Sequence, residues 1–597
     1  MADTIVDVFL ERVAKDPDRD ALKVKRDGEW QGITWREYAE AVRRAANGLL
    51  SIGVDRGDRV SLISLNRPEW HESDLAIMSL GAVTVPIYVT NSPPQLAYIA
   101  GHSESRAIFV ENAGQLEKVV KTRSELPALT KVIIFDPEGV ALDDFVMSWE
   151  QLLATGFKYG SENPNAYDEH TSSVRAEDLA TLVYTSGTTG PPKGAMLTQG
   201  NVVWTCGALN AVLKVTPEER KLSYLPLSHI AERMTGHFTH LYGGGETWFA
   251  QSIDTLREDL QACRPTVFFG VPRVWEKFYA GIIALLDGLP EEQRIMAEQA
   301  VQLGLKRVEA EQAGSSLPPD LEEKYQDADG KLFALARAAL GLDQAWALIS
   351  GAAPINPEVL RFFHAIGLRV GEVYGQTEDN GPTSINPSDR IKIGTVGPPI
   401  PGVQVKIADD GEVLVKGGNV GPGYYRNDEA SRELIDAEGW MHSGDIGEFD
   451  ADGYLKITDR KKDLIITAAG KNIAPQVLEN MLKYSPWISQ AVVIGDRRPF
   501  LTALITLDQE KVTQYAEQKS IPHANFAELA HHPDIRQLVE IAVAETNEQL
   551  ARVEQIKKWI VLERDFAQEH DEMTPTMKVR RKAITEKYAD TIESMYG

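Results

Sequence analysis

The chain has 597 residues, a formal net charge of −25, 43% hydrophobic residues and 25% charged residues. This composition is typical of a globular protein, and the length allows roughly four domains of about 150 residues each. A negative charge of this size repels nucleic acid, which excludes nucleic-acid binding as the main function.

The N-terminal residues, the apolar runs and the number of cysteines bear on where in the cell the protein is found. The first residues, MADTIVDVFLERVAKDPDRDA, lack the positive region and the continuous apolar region of a signal peptide. No apolar run reaches the ~20 residues that span a bilayer. Cys206 and Cys263 are too few for a disulfide framework and do not resemble a metal site. We expect a cytoplasmic protein, with peripheral contact with a membrane surface as an open alternative.

The first third of the chain alternates helical and strand patterns. Residues 34–54 have apolar side chains three and four positions apart and end near Gly53, which is typical of a helix with a glycine stop. The short runs DRVSLISL, GAVTVPIY and DLATLVYT have the residue types of buried strands. This alternation predicts an α/β fold with a largely parallel sheet covered on both faces.

A stretch rich in glycine and hydroxyl residues, YTSGTTGPPKG at 184–194, follows the third of these strands. The Walker A loop requires glycine directly before its lysine and a hydroxyl directly after it. Here Pro192 precedes Lys193 and Gly194 follows it. Backbone N–H groups exposed at glycines, hydroxyls and one lysine still suit anionic oxygens. The stretch therefore predicts a phosphate-binding loop of another kind.

The residue composition and pattern change at two later places, which divide the rest of the chain. Residues 281–340 are rich in helix formers and charge around a GSSLPPD turn, which predicts an inserted helical hairpin. The α/β pattern resumes at AWALISGAAP. Beyond TDRKKDLI, at 458–465, the strands QAVVIGD and LTALITLD and the helix PDIRQLVEIAVAETNEQLARV predict a small α+β domain.

Four further blocks carry polar chemistry. SGAAP (350–354) is a tight turn after a strand, and YGQTE (374–378) combines an aromatic face, a hydroxyl and a carboxylate. WMHSGDIG (440–447) places Asp445 between glycines, where a carboxylate can bind a vicinal diol, although such a residue alone is more often a turn former. TDRKKDLI supplies three basic residues. Each block alone is weak evidence, but their order is specific.

Together these blocks, in the order YTSGTTGPPKG, YGQTE, GD and DRKKD, resemble the adenylate-forming superfamily of acyl-CoA synthetases, nonribosomal adenylation domains and beetle luciferases. The resemblance covers almost the whole chain. YLPLSHIAERMTGH, FFGVPRVWEKFY, the helical insertion and MTPTMKVRRKAI are similar to the long-chain fatty acyl-CoA synthetase branch. The resemblance implies a large N-terminal domain of sheets and helices in layered subdomains at 1–458, a hinge at 459–463 and a small mobile α+β domain at 464–597.

Enzymes of this superfamily activate a carboxylic acid in two steps. The carboxylate attacks the α-phosphorus of ATP to give acyl-AMP and pyrophosphate, and the thiol of coenzyme A then displaces AMP. The resemblance implies that this chain takes a long-chain fatty acid, ATP and coenzyme A, with Mg²⁺ as cofactor. The first step brings two anions together, so positive charge and hydrogen-bond donors are needed where charge develops.

The resemblance also assigns the nucleotide-binding residues. Thr185 and Glu378 would anchor Mg²⁺, because hydroxyl and carboxylate oxygens are ligands that this ion favours. Tyr374 would stack on adenine, Thr377 would contact the α-phosphate, and Asp445 with Arg460 would bind the ribose. The remaining residues assigned to ATP and AMP are Ser186, Gly187, Thr188, Thr189, Gly190 and Lys193 in the phosphate loop, Gly351, Ala352 and Ala353 in the adenine wall, and Gly375 and Gln376.

Further assignments concern catalysis and movement. Lys578 matches the lysine that promotes adenylate formation, and His229 matches a histidine of the acyl-carboxylate pocket, where a neutral imidazole can donate to the carboxylate. Lys462 matches the hinge pivot. In a second pose the loop TAAGKNIAP, with Gly470 and Lys471, would face coenzyme A.

Three positions depart from the pattern of many relatives. Met577 replaces the glycine before Lys578, and Val373 replaces the glycine before Tyr374. Arg233 stands where long-chain relatives can carry a gating tryptophan.

Alternatives within the superfamily stay open at this point. They are a ligase for a shorter or aromatic acid, and a fatty acyl-AMP ligase that hands its adenylate to a carrier protein. A non-catalytic nucleotide-binding protein is disfavoured, because Glu378, Asp445 and Lys578 are all present. A homodimer and a membrane contact through the helical insertion are further open expectations.

Overall fold

The computed structural model describes residues 2–185, 191–466, 472–574 and 578–597, and all structural statements refer to these residues. The strands are β1 (Asp20–Arg26), β2 (Glu29–Thr34), β3 (Arg59–Ile63), β4 (Val83–Pro86), β5 (Ala107–Val110), β6 (Lys131–Ile134), β7 (Val146–Ser148), β8 (Leu179–Thr185), β9 (Lys193–Thr198), β10 (Arg220–Ser223), β11 (Glu246–Phe249), β12 (Val267–Gly270), β13 (Ala347–Ser350), β14 (Val370–Tyr374), β15 (Ser384–Ile385), β16 (Gln404–Ile407), β17 (Glu412–Lys416), β18 (Gly423–Tyr424), β19 (Met441–Phe449), β20 (Leu455–Arg460), β21 (Ile465–Ile466), β22 (Asn472–Ile473), β23 (Ile488–Ile494), β24 (Leu501–Leu507) and β25 (Ile556–Val561).

The α-helices are α1 (Ile5–Lys15), α2 (Trp35–Ser51), α3 (Pro68–Ser79), α4 (Pro93–His102), α5 (Ala113–Lys121), α6 (Trp149–Glu162), α7 (Ala166–Ser173), α8 (Gln199–Leu213), α9 (Ile230–Glu232), α10 (Thr239–Gly243), α11 (Leu256–Cys263), α12 (Pro272–Asp287), α13 (Glu291–Gln312), α14 (Pro319–Ala328), α15 (Ala334–Ala339), α16 (Pro357–Ala365), α17 (Asp428–Leu434), α18 (Pro475–Leu482), α19 (Gln509–Gln518), α20 (Phe526–His531), α21 (Pro533–Glu548), α22 (Arg581–Lys587) and α23 (Ala589–Tyr596). Short π-helices cover Arg233–Phe238 and Asp329–Phe333, and 3-10 turns cover Arg123–Glu125 and Gln568–His570.

An eight-stranded sheet in the order β18-β9-β8-β4-β3-β5-β6-β7 dominates the N-terminal part. Its strands from β8 to β7 are parallel, and side chains from alternate positions of β3 enter separate cores on the two faces, Val60 and Leu62 on one and Ile63 on the other. The largely parallel sheet covered on both faces is confirmed. At one edge the pairing changes, because β9 runs antiparallel to β8 and β18 antiparallel to β9.

Local sequence explains where the predicted helix at 34–54 begins and ends. Thr34 accepts a hydrogen bond from the backbone N–H of Glu37, and the Glu37 carboxylate accepts one from the Thr34 N–H, forming a capping box. The helix ends at Ser51, and Gly53 adopts the left-handed conformation at φ +82° that glycine tolerates best. Capping and stop signals therefore fix α2.

Three four-stranded sheets surround the large sheet, in the orders β10-β11-β1-β2, β12-β13-β14-β15 and β16-β17-β19-β20. The segment predicted as a helical insertion consists of the end of α12 together with α13, α14 and α15, and Gly314 at φ +70° ends the turn after α13. Helix α12 begins at Pro272 and continues past residue 281, so the predicted start of the insertion, at about 281, lies within this helix.

The C-terminal part has its own apolar cores. Strands β23, β24 and β25 form a three-stranded sheet, β21 pairs with β22, and apolar side chains from these strands and from α18 to α21 pack together. This α+β unit is the predicted class of C-terminal domain. Within the described ranges, no helix is long and apolar enough to cross a membrane.

Candidate active site

A large cavity of about 1650 Å³ lies between the large N-terminal part and the C-terminal α+β unit. It brings together most of the predicted site residues that the structure describes. Those in its lining are Thr185, Lys193, His229, Ala352, Ala353, Tyr374, Gly375, Gln376, Thr377, Glu378, Asp445, Arg460, Lys462 and Lys578. Gly351 is absent from the lining. The predictions for Ser186, Gly187, Thr188, Thr189, Gly190, Gly470 and Lys471 lie outside the described residues.

One end of the cavity is a hydrogen-bonded network centred on the Asp445 carboxylate. Its Oδ2 accepts from the Tyr374 hydroxyl at 2.7 Å and from Gln376 Nε2 at 2.6 Å, while its Oδ1 is 3.1 Å from Arg460 Nε. The antiparallel register of β19 and β20 places Asp445 directly opposite Arg460, which explains this ion pair. The Asp445 charge raises the pKa of Arg460. The network holds an oriented carboxylate, a suitable acceptor for two vicinal hydroxyls.

The wall beside Tyr374 accounts for one departure from the family pattern. A Cβ atom on Gly351 would lie 2.4 Å from Val373 Cγ1, so Val373 occupies the volume that a side chain at 351 would need. Gly351 therefore acts through packing behind the wall, and Ala352 and Ala353 face the cavity. Ala352 adopts φ +69°, which strains a non-glycine residue by about 1 kcal/mol.

The YGQTE segment turns sharply to present its polar groups. A Cβ on Gly375 would lie 1.5 Å from the carbonyl oxygen of Gly381, so only glycine fits. The buried Asp379 carboxylate accepts from the Gln376 N–H at 2.7 Å and from the Thr383 hydroxyl. Burial raises the pKa of Asp379 to about 7. This turn directs Glu378 into the cavity.

A second cluster of polar side chains surrounds the Glu378 carboxylate. Thr185 Oγ1 lies 3.5 Å from Glu378 Oε1, and the Tyr424 hydroxyl donates to the same oxygen at 2.8 Å. Thr185 and Lys193 are cross-strand partners of β8 and β9, so the two ends of the predicted phosphate loop lie side by side. The loop therefore joins antiparallel strands, whereas a Walker A loop leads from a strand into a helix.

Lys578 enters this cavity from the C-terminal unit. Its backbone N–H donates to Thr574 Oγ1 at 3.0 Å, and its carbonyl accepts from the Thr574 N–H at 2.7 Å. Burial, followed by the nearby charge of Arg460, lowers the pKa of Lys578 to about 8, and the carboxylates of Asp445 and Glu378 oppose this shift. Lys578 therefore lies close enough to the carboxylates of Asp445 and Glu378 to interact with both electrostatically.

His229 occupies the same region in its neutral form. Its Nδ1 accepts from the backbone N–H of Ala231 at 3.1 Å, which leaves the proton on Nε2. Burial, together with the charge of Lys578, lowers the pKa of His229 to about 3. Apolar residues also line the cavity: Val183, Leu209, Leu213, Ile230, Met234, Phe269, Val271 and Ile349.

Arg233, the third departure, does not reach the cavity. Its guanidinium is fully buried, contacts the Asp74 carboxylate and donates to Thr181 Oγ1 at 2.6 Å. On the other side of the same segment, Lys221 Nζ lies 3.2 Å from Glu232 Oε1, and both side chains are fully buried. These two ion pairs anchor the backbone that follows His229, so position 233 supports the wall and cannot gate the site.

Ion pairs and hydrogen bonds hold the hinge region and join the C-terminal unit to the large part. Lys461 Nζ contacts Asp410 Oδ2 at 2.6 Å and Glu412 Oε2 at 2.9 Å, and Glu412 Oε1 also accepts from the Gly444 N–H at 2.9 Å. Farther out, Arg273 of α12 donates to Ser489 Oγ at 3.2 Å. Lys483 Nζ of the C-terminal unit lies 4.0 Å from Glu276 Oε1.

Sequence reasoning missed two residues that organise the site, Tyr424 and Glu412. Tyr424 lies in GYYRN and Glu412 in DDGEV, segments without a distinctive polar pattern. Tyr424 contacts Glu378 and Glu412 contacts Lys461, and each pair is more than 40 positions apart in the chain, so spacing alone carries no signal for them. The doublet Gly423–Tyr424, which forms a two-residue edge strand, is the only local feature that sets Tyr424 apart.

Comparison with known proteins gives consistent matches over the full length. The family model described as AMP-binding enzyme matches residues 9–425, and that of the AMP-binding enzyme C-terminal domain matches 462–597. The long-chain-fatty-acid–CoA ligase FadD15 of Mycobacterium bovis is 38% identical over 601 residues, covering 100% of this chain and 97% of its own. The long-chain-fatty-acid–CoA ligase ACSBG2 of Xenopus laevis is 35% identical, covering 99% of this chain and 84% of its own.

Solved structures match the fold. The anthranilate CoA ligase AuaEII, in complex with anthranoyl-AMP, superposes with a TM-score of 0.75 at 19% identity. The match covers 99% of this chain and 98% of that chain.

Proposed function

Because the chain belongs to the AMP-binding enzyme family, in its long-chain acyl-CoA synthetase branch, we propose that it activates a long-chain fatty acid with ATP to acyl-AMP. It then forms the thioester with coenzyme A and releases AMP. The observation that carries this proposal is the position of Lys578, within electrostatic reach of Asp445 and Glu378 in a cavity with apolar walls. A nucleotide and an apolar acid can meet there.

The adenosine end follows from the Asp445 network. Its carboxylate, oriented by Tyr374 and Gln376, accepts from the two ribose hydroxyls, while Arg460 keeps the charge balanced. The Tyr374 ring faces adenine together with Ala352 and Ala353. Because the acceptor is already oriented before nucleotide arrives, less reorganisation opposes binding.

The donor set around Glu378 fits a magnesium ion. Glu378 and Thr185 present one carboxylate and one hydroxyl within 3.5 Å of each other, the hard oxygens that Mg²⁺ prefers, and both line the cavity. When bound, the ion neutralises phosphate charge. Lys193, at the end of the phosphate loop, places a further positive charge beside the departing pyrophosphate.

Adenylate formation depends on Lys578 and His229. Lys578 supplies positive charge near the α-phosphate as the carboxylate attacks, and the partial burial that lowers its pKa also strengthens the interaction of that charge. His229 donates through Nε2–H to a carboxylate oxygen of the fatty acid, which orients the other oxygen for attack. Thr377, at the turn, donates to the α-phosphate.

Thioester formation uses a second pose of the C-terminal unit. The unit turns about Lys462, Lys578 leaves the cavity, and the segment with Gly470 and Lys471 comes to face coenzyme A. A few residues at an element end absorb such a rotation. The bonds of Lys461 to Asp410 and Glu412 belong to the present pose.

The test is pyrophosphate release from ATP and Mg²⁺ with free acids from C4 to C20, with and without coenzyme A. A maximum at long chains with acyl-CoA as product supports the proposal. Stalled acyl-AMP in the presence of coenzyme A would assign the chain to the carrier-protein ligases, and a maximum at short or aromatic acids would replace the substrate. No release with any acid would overturn the function.

Location and assembly are separate parts of the proposal. We propose a cytoplasmic enzyme that meets a membrane surface through the helical insertion at 281–340 and forms a homodimer. Vesicle flotation of the chain with and without α13 and α14 tests the contact. Light scattering during size-exclusion chromatography tests the dimer.

A further inference from the structure

Tyr424 lies between the two charged residues of the phosphate end of the cavity. Its hydroxyl donates to Glu378 Oε1 at 2.8 Å, and Lys193 Nζ lies 5.0 Å from the centre of its ring. One side chain therefore contacts a carboxylate through its polar end and an ammonium group through its aromatic face. Tyr424 itself lines the cavity.

The backbone explains why this side chain stands there. Strand β18 pairs antiparallel with β9, with Tyr424 opposite Ala195, so Tyr424 and Lys193 project from the same face as diagonal neighbours. The Tyr424 N–H donates to Ser431 Oγ at 2.8 Å, which fixes the edge strand to α17. The Glu378 carbonyl accepts from the Gly421 N–H at 2.9 Å, which ties the YGQTE turn to the same segment.

We propose that Tyr424 is a positioning residue for the metal and phosphate end of the site. Its hydroxyl fixes the Glu378 carboxylate, which would hold the cation, and its ring holds Lys193, which would face the phosphates. The inference rests on the proposed function, because it takes Glu378 as the magnesium anchor and Lys193 as a phosphate contact. Tyr424 acts on substrate only through these two residues.

Two substitutions separate the two contacts. Tyr424→Phe removes the hydroxyl and keeps the ring, whereas Tyr424→Leu removes both. The next residue supplies the control, because Tyr425, directly after β18, projects to the opposite side, where its ring lies beside His102 and Arg426. Tyr425→Phe removes a hydroxyl from the adjacent residue without touching Glu378.

The measurement is ATP binding by calorimetry as Mg²⁺ is varied, without fatty acid, so that no turnover occurs, and Mn²⁺ binding in the presence of ATP by electron paramagnetic resonance. For Tyr424→Phe we expect the half-saturating metal concentration to rise about tenfold, the size expected for one lost hydrogen bond to a charged acceptor. Tyr424→Leu should weaken ATP binding by about a further threefold, from the lost ring contact with Lys193. AMP binding should stay within twofold in both variants, because AMP uses the Asp445 end.

A Glu378→Gln variant distinguishes failure of this inference from failure of the proposed function. If Glu378→Gln leaves the metal dependence unchanged, Glu378 is not the anchor and the proposed role of that residue is wrong. If Glu378→Gln raises the half-saturating metal concentration and Tyr424→Phe behaves like Tyr425→Phe, only the positioning role is overturned. Equal loss of AMP and metal–ATP binding in Tyr424→Phe would mean general damage to the fold and would also overturn it.

Discussion

The two ends of the cavity hold their polar groups in opposite ways. At the adenosine end, Asp445 is bonded to Tyr374 and Gln376 of the large N-terminal part and to Arg460 at the end of β20. At the reacting end, Lys578 comes from the C-terminal unit, and its ammonium group makes no hydrogen bond to another described residue. Hydrogen bonds orient the Asp445 carboxylate at the first end. At the second end, burial strengthens the electrostatic effect of the Lys578 ammonium group. Affinity and rate should therefore respond to different substitutions.

The largest effect should come from removing Lys578. We expect Lys578→Ala to slow acyl-AMP formation by about 10²- to 10³-fold, because a charge placed for the transition state in a dry site is lost. Thioester formation from pre-made acyl-AMP should stay within a few-fold, since Lys578 leaves the cavity in that pose. Single-turnover assays of the two half-reactions measure this. Lys582→Ala, nearby in the same basic run, is the control, and equal loss in both halves contradicts the two-pose proposal.

The second effect sharpens the comparison at the other end. Asp445→Ala should weaken ATP binding about 50-fold, because the ribose loses a charged acceptor and Arg460 is left without its partner. Saturating ATP should restore much of the adenylation rate, unlike in Lys578→Ala. Calorimetry with ATP and with AMP gives the affinities. Asp452→Ala removes an exposed carboxylate of the adjoining turn and should change neither affinity. If Asp445→Ala lowers the rate at saturating ATP but not the affinity, the proposal that the adenosine end determines affinity is contradicted.

The third effect is a pH dependence set by the reacting end. Only protonated Lys578 carries charge, so with a pKa of about 8 the rate of adenylate formation should fall at higher pH, by about tenfold per unit once well above it. His229, with a pKa of about 3, is already neutral at pH 5 and adds no acidic limb above that value. Stopped-flow rates from pH 5 to 10 test this.

Lys578→Arg is the matched variant for the pH profile. Its guanidinium stays protonated throughout this range, so the alkaline limb should disappear even if the rate is lower. His229→Asn should keep the limb. An alkaline limb that persists in Lys578→Arg would assign the titration to another group.

The smallest effect concerns the contacts that hold the C-terminal unit in the present pose. Arg273→Ala removes the bond to Ser489 and should slow adenylate formation about two- to fivefold, as expected for a partly exposed polar contact. Thioester formation should not slow. Arg294→Ala, a half-buried arginine on the next helix that pairs with Glu298 of its own helix, controls for loss of charge. A slower thioester step in Arg273→Ala would show that this contact does not belong to one pose.

Much of the fold was predictable because local chemistry agrees with it. Helix α2 with its glycine stop, the buried strand before the glycine loop and the strands QAVVIGD and LTALITLD all lie where the sequence places them. The motif residues meet in one cavity because they lie at strand ends and turns. The family resemblance supplied their grouping, and the spacing alone did not.

The remainder depends on contacts between distant parts of the chain. Arg233 reads as a cavity residue from its distance to His229, yet its pairing with Asp74, 159 positions earlier, buries it behind the wall. Val373 reads as an intrusion, yet Gly351 leaves the volume that it fills. The register of β9 and β18 places Tyr424 beside Lys193, and no local sequence pattern predicts this register. Such complementarity is a property of packing and needs coordinates.

The pairing of Asp445 with Arg460 has a mechanical consequence. Arg460 is the last residue of β20, and the chain continues directly into Lys461 and Lys462. Under the two-pose proposal, torque applied at Lys462 reaches the ribose carboxylate through a single cross-strand pair. Rotation of the C-terminal unit and weakening of AMP binding would then be coupled, so AMP would be released as the unit rotates at the end of the catalytic cycle.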